Sequence, residues 1–166
     1  MKRKSLVLAT LAAAVSAAVV AAIALAAGGG TTAKGITIHL VEKSQSFNFV
    51  DNPPSGAQTH IASAGDFFVL SSNLLTTGGG HAGELYAECV SATGGKNNVS
   101  VCNGVFRLAG GQLDLMTSIR GQGGKVTKIA VVGGTGAYEG ARGSIVSVSN
   151  GPNSPISHDT VHLLLP

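Results

Sequence analysis

The residues most suggestive of chemistry lie in one glycine-rich stretch, Lys128–Gly143. Its apolar run Ile129–Val132 leads directly into Gly133-Gly134-Thr135-Gly136. A loop of this kind cradles phosphate when a helix follows, because the helix N-terminus presents free N–H groups. Here Glu139 takes the place of the third glycine of a dinucleotide fingerprint, and Gly143–Ser149 alternates apolar and polar residues as a strand does. The stretch therefore predicts a tight corner between two β-strands, and not a nucleotide site.

Three polar side chains near this corner and the predicted strands could bind a ligand or move a proton. Arg142 could hold a polar ligand group, or it could pair with Glu139 at the barrel rim. Tyr138 could offer its hydroxyl to a ligand or pack against the corner. Asp66 could act as a general acid or base, or it could cap a turn at the start of a strand. Spacing alone leaves each alternative open.

Two histidines near the C-terminus, His158 and His162, share one face of a predicted strand. Four residues of strand separate them by about 13 Å, which is too far for one metal ion. Residue order also reveals no Ser–His–Asp spacing and no paired carboxylates. We therefore expect no metal site, and the predicted chemistry requires no cofactor.

The N-terminus has the pattern of a secretory signal peptide. Basic residues in Met1–Lys4 precede Ser5–Ala27, which is uncharged and rich in Ala, Leu and Val. We predict a signal peptide over residues 1–27, a flexible lead over 28–35, one domain over 36–166, and secretion. The alternative is an uncleaved segment that anchors the protein to a membrane, because the apolar run is long enough to cross a bilayer.

The domain without its leader is close to neutral. When Lys2, Arg3 and Lys4 are removed, the chain keeps eight basic and eight acidic residues. No basic stripe remains, so the charge pattern of a nucleic-acid-binding protein is missing.

The two cysteines, Cys89 and Cys102, are predicted to form a disulfide, because export implies an oxidising compartment. Symmetric pairing around the loop Gly94–Asn97 sets them directly opposite each other on antiparallel strands, within disulfide reach. The same register sets Glu84 opposite Arg107.

Glycine-rich turns divide the domain into about eight strand-like segments with no convincing helix, which predicts a closed antiparallel barrel or a sandwich. Phe47 and Phe49 could add a short strand within the first long connection. The segments are Ile36–Glu42, Gly65–Leu75, Glu84–Thr93, Val99–Leu108, Gln112–Arg120, Lys125–Val132, Gly143–Ser149 and His158–Leu165.

Three segments resemble the allene oxide cyclase and dirigent superfamily: Gly65–Leu74, Gly83–Val90 and Ile129–Gly143. The glycine corner is the most specific of the three, and the resemblance covers roughly residues 35–165. Members are barrels with a ligand cavity, so the resemblance implies an all-β, eight-stranded antiparallel β-barrel. The strand register and alternation predict that Leu85, Ala87, Phe106, Leu113, Leu115 and their neighbours line the interior.

The resemblance to dirigent proteins bears on the glycine corner. Dirigent proteins steer the radical coupling of phenols and carry an Asp directly after the Gly-Gly-Thr-Gly turn. This chain has Ala137 there, although the Arg of the following Ala-Arg-Gly is present as Arg142. The missing acid argues against the transfer of a proton to a quinone methide.

The resemblance to allene oxide cyclases suggests pocket residues on the strands. Their pocket Asn corresponds to Asn73 after a one-residue shift, and their pocket Cys corresponds to Cys89. Their first-strand Glu falls near His39 and their pocket Tyr near Ile119 or Arg120, so neither type is kept. A Cys89–Cys102 disulfide would also leave no free pocket thiol, which argues against a jasmonate-type cyclisation.

We therefore expect a secreted barrel that binds a small hydrophobic molecule and steers its stereoselective cyclisation or coupling by confining a reactive conformer. The candidate ligand-binding residues are Asn73, Tyr138, Arg142 and Asp66. The alternative is a non-catalytic secreted module, which can be oligomeric and interacts through the barrel exterior. A lumen with convergent polar groups favours the first function, and a lumen filled by Leu and Phe favours the second.

Overall fold

The computed structural model describes residues 34–52, 62–121, 124–151 and 153–166, so the predicted leader lies outside the described residues. No helix within these ranges is long and apolar enough to span a membrane. A 3-10 turn, Gly136–Tyr138, joins the sixth and seventh strands. The strands are β1 Lys34–Val50, β2 Phe67–Thr76, β3 His81–Ser91, β4 Val99–Leu108, β5 Gly111–Arg120, β6 Val126–Gly134, β7 Arg142–Ser149 and β8 Ile156–Leu165.

The eight strands form a closed barrel in which each strand pairs antiparallel with the next and β1 pairs with β8. This confirms the predicted barrel and excludes the sandwich. The strand β1 is longer than predicted: it begins at Lys34 and continues to Val50, so Phe47 and Phe49 belong to it. A register shift between Ser44 and Ser46 marks a bulge within β1, and a bulge of this kind changes which residues face inward.

The glycine stretch forms a corner, as predicted. The strand β6 ends at Gly134, the 3-10 turn follows, and β7 begins at Arg142. Gly136 has φ +63, a conformation that suits glycine, and a side chain there would collide with the Gly110 carbonyl. The corner therefore needs glycine for its backbone conformation and its close approach to the β4–β5 turn.

The predicted β3–β4 register is also confirmed. Cys89 lies opposite Cys102, the two form a disulfide, and their Cα atoms are 4.0 Å apart. Glu84 lies opposite Arg107, but its carboxylate contacts His81, with Oε1 3.4 Å from Nε2. The Glu84 carboxylate therefore contacts a histidine of its own strand and not Arg107.

The disulfide gives a simple test of this register. Alkylation of the unfolded protein without reductant should add no label, because both cysteines are paired. Reduction before alkylation should add two labels, as measured by intact mass. Labelling of both thiols without reductant would contradict the pairing of β3 with β4.

The barrel interior has two unlike halves. One half, which we call the corner end, lies toward the 3-10 turn and the β2–β3 and β4–β5 turns. The other half, the loop end, lies toward the β1–β2, β3–β4 and β7–β8 connections. Apolar side chains fill the corner end, and burial of each contributes about 1.5–3 kcal/mol to stability. They include Leu40, Leu74, Leu85, Phe106, Leu113, Leu115, Val131, Ile145, Val161 and Leu163.

Candidate functional site in the barrel lumen

Two of the predicted ligand-binding residues lie on the outer face of the barrel. Asn73 lies between Lys43 on β1 and Glu84 on β3, and its inward neighbours are Ser72 and Leu74. Because side chains alternate along a strand, a one-residue shift reverses the face, and this separates Asn73 from the lumen.

Arg142 is exposed at the start of β7, opposite Leu164 on β8. Among the described residues the ion pair recorded is His81 with Glu84, so Arg142 does not pair with Glu139. Neither the cavity role nor the salt-bridge role foreseen for Arg142 is present in the structure.

Tyr138 is half-buried in the 3-10 turn and packs against the apolar residues of the corner end. Of the two roles considered for Tyr138, packing is the one that the structure supports.

Asp66 caps the ends of the β1–β2 connection. Its side chain is 1% exposed and accepts three hydrogen bonds. They come from the Asn52 N–H at 3.0 Å, the Ser63 N–H at 2.6 Å and the Ser63 hydroxyl at 2.8 Å. The bond from Asn52, followed by those from Ser63, lowers the pKa of Asp66. Asp66 therefore has the turn-capping role and does not face the lumen as an acid or base.

Substitution of Asp66 tests this capping role. Asp66→Asn should lower the free energy of unfolding at pH 7 by about 2 kcal/mol, because an amide cannot accept all three bonds. Since the pKa of Asp66 is lowered in the fold, its contribution is present above the ordinary pKa and lost as the pH falls through the folded value. Urea titrations at pH 7 and pH 3 measure the difference. Asp114→Asn, on the outer face of β5, is the control and should change stability by less than about 0.5 kcal/mol.

Two carboxylic acids, Glu42 and Asp159, face the lumen and were not foreseen as site residues. Each lies in phase with inward apolar residues of its strand, Leu40 on β1 and Val161 on β8. An acid in phase with a buried apolar series is the signal that could have revealed them. From the sequence, the first-strand glutamate of allene oxide cyclases was aligned near His39. The side chain of His39 is exposed, and the glutamate of β1 that faces inward is Glu42.

The two acids are neighbours across the β1–β8 ladder. Asp159 lies opposite Leu40 on one side and Ser147 of β7 on the other. Glu42 is two residues beyond Leu40, so it is diagonal to Asp159 on the same inner face, a separation of about 7–8 Å between Cα atoms. On the far side, the Ser72 hydroxyl donates a hydrogen bond of 2.7 Å to Glu42 Oε1.

Burial makes both acids easier to protonate than in water. It raises the pKa of Asp159 to about 7, opposed by the Ser147 hydroxyl and reinforced by the charge of Glu42. It also raises the pKa of Glu42, opposed by the hydrogen bond from Ser72. A carboxyl with a pKa near 7 can donate or accept a proton at neutral pH, which suits acid–base chemistry.

Asp159 is also unsatisfied. Its side chain is 2% exposed, and neither carboxyl oxygen has a hydrogen-bond partner of normal geometry among the described residues. The Ser147 hydroxyl is near enough to influence the pKa of Asp159 without reaching that geometry. Buried polar atoms in folded proteins are nearly always paired, and each exception calls for an explanation such as a ligand or a functional role.

Small inward side chains line the loop end of the lumen next to these acids. An eight-stranded barrel can hold one small ligand when its interior side chains do not fill it. The larger inward residues here include Leu70, Phe68 and Ile119. The others are mostly small or carry short polar groups. They include Ser72, Ala87, Cys89, Cys102, Gly104, Thr117, Thr127, Ser147 and Ser157.

Aromatic rings occupy the inner side of the loop end. After the bulge in β1, Phe47 lies opposite Leu70 and Phe49 lies opposite Phe68. The Phe47 and Phe68 ring centroids are 5.2 Å apart, yet Phe47 is 63% exposed. These rings can contact the apolar part of a ligand at the lumen mouth.

A groove of approximately 590 Å³ lies on the outside of β2, β3 and β4. It is bordered by Val69, Tyr86 and Val105, and Tyr86 is 45% exposed. The groove contains none of the acids whose pKa is shifted. We therefore place the candidate chemical site in the lumen, where the buried acids converge.

The described residues contain no group of three His, Cys, Asp or Glu side chains that could hold a metal ion. His158 and His162 lie on the outer face of β8, opposite Val41 and Thr37 of β1.

No known family model matches the chain, and no curated protein sequence matches it significantly. Solved structures do match. A pyocyanin demethylase is similar with a TM-score of 0.64 at 20% identity, over 77% of this chain and 99% of that one. A pterocarpan synthase dirigent protein is similar with a TM-score of 0.66 at 15% identity, over 84% of this chain and 92% of that one.

A third similar structure is a nonspecific heme-binding cyclase that catalyses a 4 + 2 cycloaddition in neoabyssomicin biosynthesis. Its TM-score is 0.63 at 19% identity, over 85% of this chain and 68% of that one. Identities this low establish a common fold. The chain therefore shares its eight-stranded antiparallel barrel fold with a dirigent protein and a cyclase.

Proposed function

We propose that the loop-end half of the lumen binds a small hydrophobic molecule and steers its cyclisation, with Asp159 as the group that orients it. The observation that carries the proposal is the buried, unpartnered carboxyl of Asp159. Leaving such a group unpaired costs free energy, so its presence is best explained by a ligand that satisfies it. The similarity of the barrel to cyclases and dirigent proteins supports this choice.

The chemistry requires little from the protein. Neutral Asp159 donates a hydrogen bond to an acceptor atom of the ligand, such as a carbonyl oxygen, and stabilises the negative charge that develops there. In a cycloaddition the proton stays on Asp159, because ring closure forms carbon–carbon bonds without net proton transfer. The lumen wall holds the reacting ends together and selects one face for closure. This activity should fall as the pH rises above about 7, where Asp159 loses its proton.

Two variants on one strand separate the lumen from the exterior. Ser72 faces inward beside Glu42, whereas Ser71 faces outward and borders the groove. We would incubate the protein with a small-molecule extract of its own culture medium and record native mass spectra. Wild type and Ser71→Phe should carry an adduct that is lost on denaturation, and Ser72→Phe should not.

Folding of Ser72→Phe must be checked by circular dichroism, because the added ring enters a packed wall. Glu42→Gln keeps the side-chain size and serves as the second variant; it should weaken the adduct while the fold is retained. Once the bound molecule is identified, chiral chromatography would measure its cyclisation. An adduct that survives in Ser72→Phe but disappears in Ser71→Phe would contradict the lumen site.

Loss of the adduct in Ser71→Phe alone would instead support a non-catalytic module that interacts through the barrel exterior. The exposed side chains of Val69 and Tyr86 beside the outer groove are the observation that favours this second function. Apolar surface of this kind marks contact sites when it is continuous.

A further inference from the structure

The inner wall of the barrel carries acidic side chains and almost no basic ones. Apart from Lys34 at the exposed start of β1, no inward position of the described strands holds a Lys, Arg or His. Glu42 and Asp159 are the acids that face inward at the centre of the lumen. The basic residues of the strand interiors face outward: His39, Lys43, Arg107, Lys128, His158 and His162.

This arrangement lacks a counter-charge. Asp159 is faced by Leu40 and Glu42 from β1 and by Ser147 from β7, and Ser72 of β2 is bonded to Glu42. None of these groups is positive. Two neighbouring ionised carboxylates repel each other when no cation lies between them, so Asp159 keeps its proton up to about pH 7.

We propose that the lumen is selective for ligands that carry a cationic N–H donor group, such as an amidinium or a protonated amine, on an apolar body. The inference rests on the lumen site proposed above, but it assigns the ionised form of Asp159 to a cationic ligand group in place of the neutral form that would donate to a carbonyl oxygen. A planar group with two N–H donors matches a carboxylate in bidentate fashion and would satisfy both oxygens of Asp159. An anionic ligand would meet two acids and no base.

The inner wall of the barrel offers an apolar surface to the apolar body of such a ligand. Leu70 and Ala87 are half-buried on the inner wall of β2 and β3, and Phe68 and Phe49 lie beyond them toward the mouth. Aromatic rings also attract cations by their π faces. A ligand with its charged group at Asp159 and its body toward the mouth would therefore be favoured throughout its length.

Binding of such a ligand releases a proton. The ligand keeps its charge, Asp159 loses its proton to solvent, and the products are an ion pair and one free proton, with no bond to carbon formed or broken. Affinity should therefore increase about tenfold with each unit of increase in pH up to about pH 7 and stay constant above it. A neutral ligand that accepts a hydrogen bond from Asp159 should show the opposite trend above pH 7.

Three naphthalenes of nearly equal shape test the charge class: 2-naphthamidine as the cation, 2-naphthamide as the neutral compound and 2-naphthoate as the anion. Calorimetric titrations from pH 5.5 to pH 8.5 would give the affinities. Repeating them in two buffers of different ionisation enthalpy would count the protons released. At pH 8 we expect the amidine to bind at least tenfold more tightly than the amide, and the naphthoate to bind most weakly.

Substitutions of single acids test whether the preference for a cationic ligand depends on Asp159. Asp159→Asn should remove the pH dependence and the proton release and lower the affinity for the amidine at least tenfold. Glu88→Gln, on the outer face of β3, should change none of these three properties. Naphthoate binding as tight as amidine binding, or no amidine binding at pH 8, would overturn the inference. Tight binding of the amide alone would also overturn it, yet would leave the proposed lumen function intact.

Discussion

Asp159→Asn should make the protein more stable at pH 8, by up to about 4 kcal/mol in the free energy of unfolding. The wild-type carboxyl is buried without a hydrogen-bond partner in the described structure, and its pKa is raised from 3.8 to about 7. At pH 8 the folded protein must hold a charge in that environment, whereas the unfolded chain solvates it. Asparagine has nearly the same shape and never carries the charge, so this cost disappears.

The sign of the pH dependence follows from proton binding. Between about pH 4 and pH 7 the folded state keeps the proton of Asp159 while the unfolded state has lost it. The wild type therefore loses stability as the pH rises through this window and reaches a constant deficit above it. The variant lacks this term, so the two proteins should be equally stable near pH 4 and should differ most above pH 7.

Urea titrations of both proteins at half-unit steps from pH 4 to pH 8.5 would measure the difference curve. Glu88→Gln, an exposed outward acid on β3, is the matched control and should follow the wild type within about 0.5 kcal/mol. A flat difference curve would show that Asp159 titrates normally in the fold. A variant that gains stability and loses ligand would show that the acid is retained for binding and not for folding.

Gly134→Ala should destabilise the barrel by about 3 kcal/mol, because it overpacks the glycine corner. A Cβ at this position would lie 2.5 Å from the Tyr138 carbonyl oxygen and 2.7 Å from the Gln112 carbonyl oxygen. Both contacts are with backbone, which cannot rotate away as a side chain can. The substitution must therefore move the 3-10 turn or the start of β5, and both seal the corner end.

Gly35→Ala provides the control for this substitution. A Cβ there would meet only the Leu164 Cδ2 atom at 4.0 Å, an ordinary contact. Its effect on the thermal midpoint should be small, whereas Gly134→Ala should lower the midpoint by several degrees. Equal effects of the two substitutions would mean that the corner does not require its close backbone approach.

Local patterns account for the parts of the fold that the sequence predicted. Alternation and glycine turns placed the eight strands, and Gly133–Gly136 followed by a strand-like pattern predicted the corner. The hairpin loop fixed the register of Cys89 and Cys102. Each of these features depends on residues close together in the chain, so each can be predicted without the tertiary structure.

The lumen site depends on contacts between distant segments. Glu42 and Asp159 lie near opposite ends of the domain and become neighbours only when β8 pairs with β1 and closes the barrel. Asn73 and Arg142 were predicted to lie in the site, whereas both lie on the outer wall. Successive side chains of a strand point to opposite faces of the sheet. An alignment error of one position therefore assigns an outward residue to the lumen.

The sequence by itself therefore determined that this chain is an all-β barrel with a glycine corner and one disulfide. Only the tertiary structure decided which polar groups share the lumen and that Asp159 has no hydrogen-bond partner in the described chain. The physical reason is that burial and charge, which shift the pKa of an acid, come from all the strands that surround it.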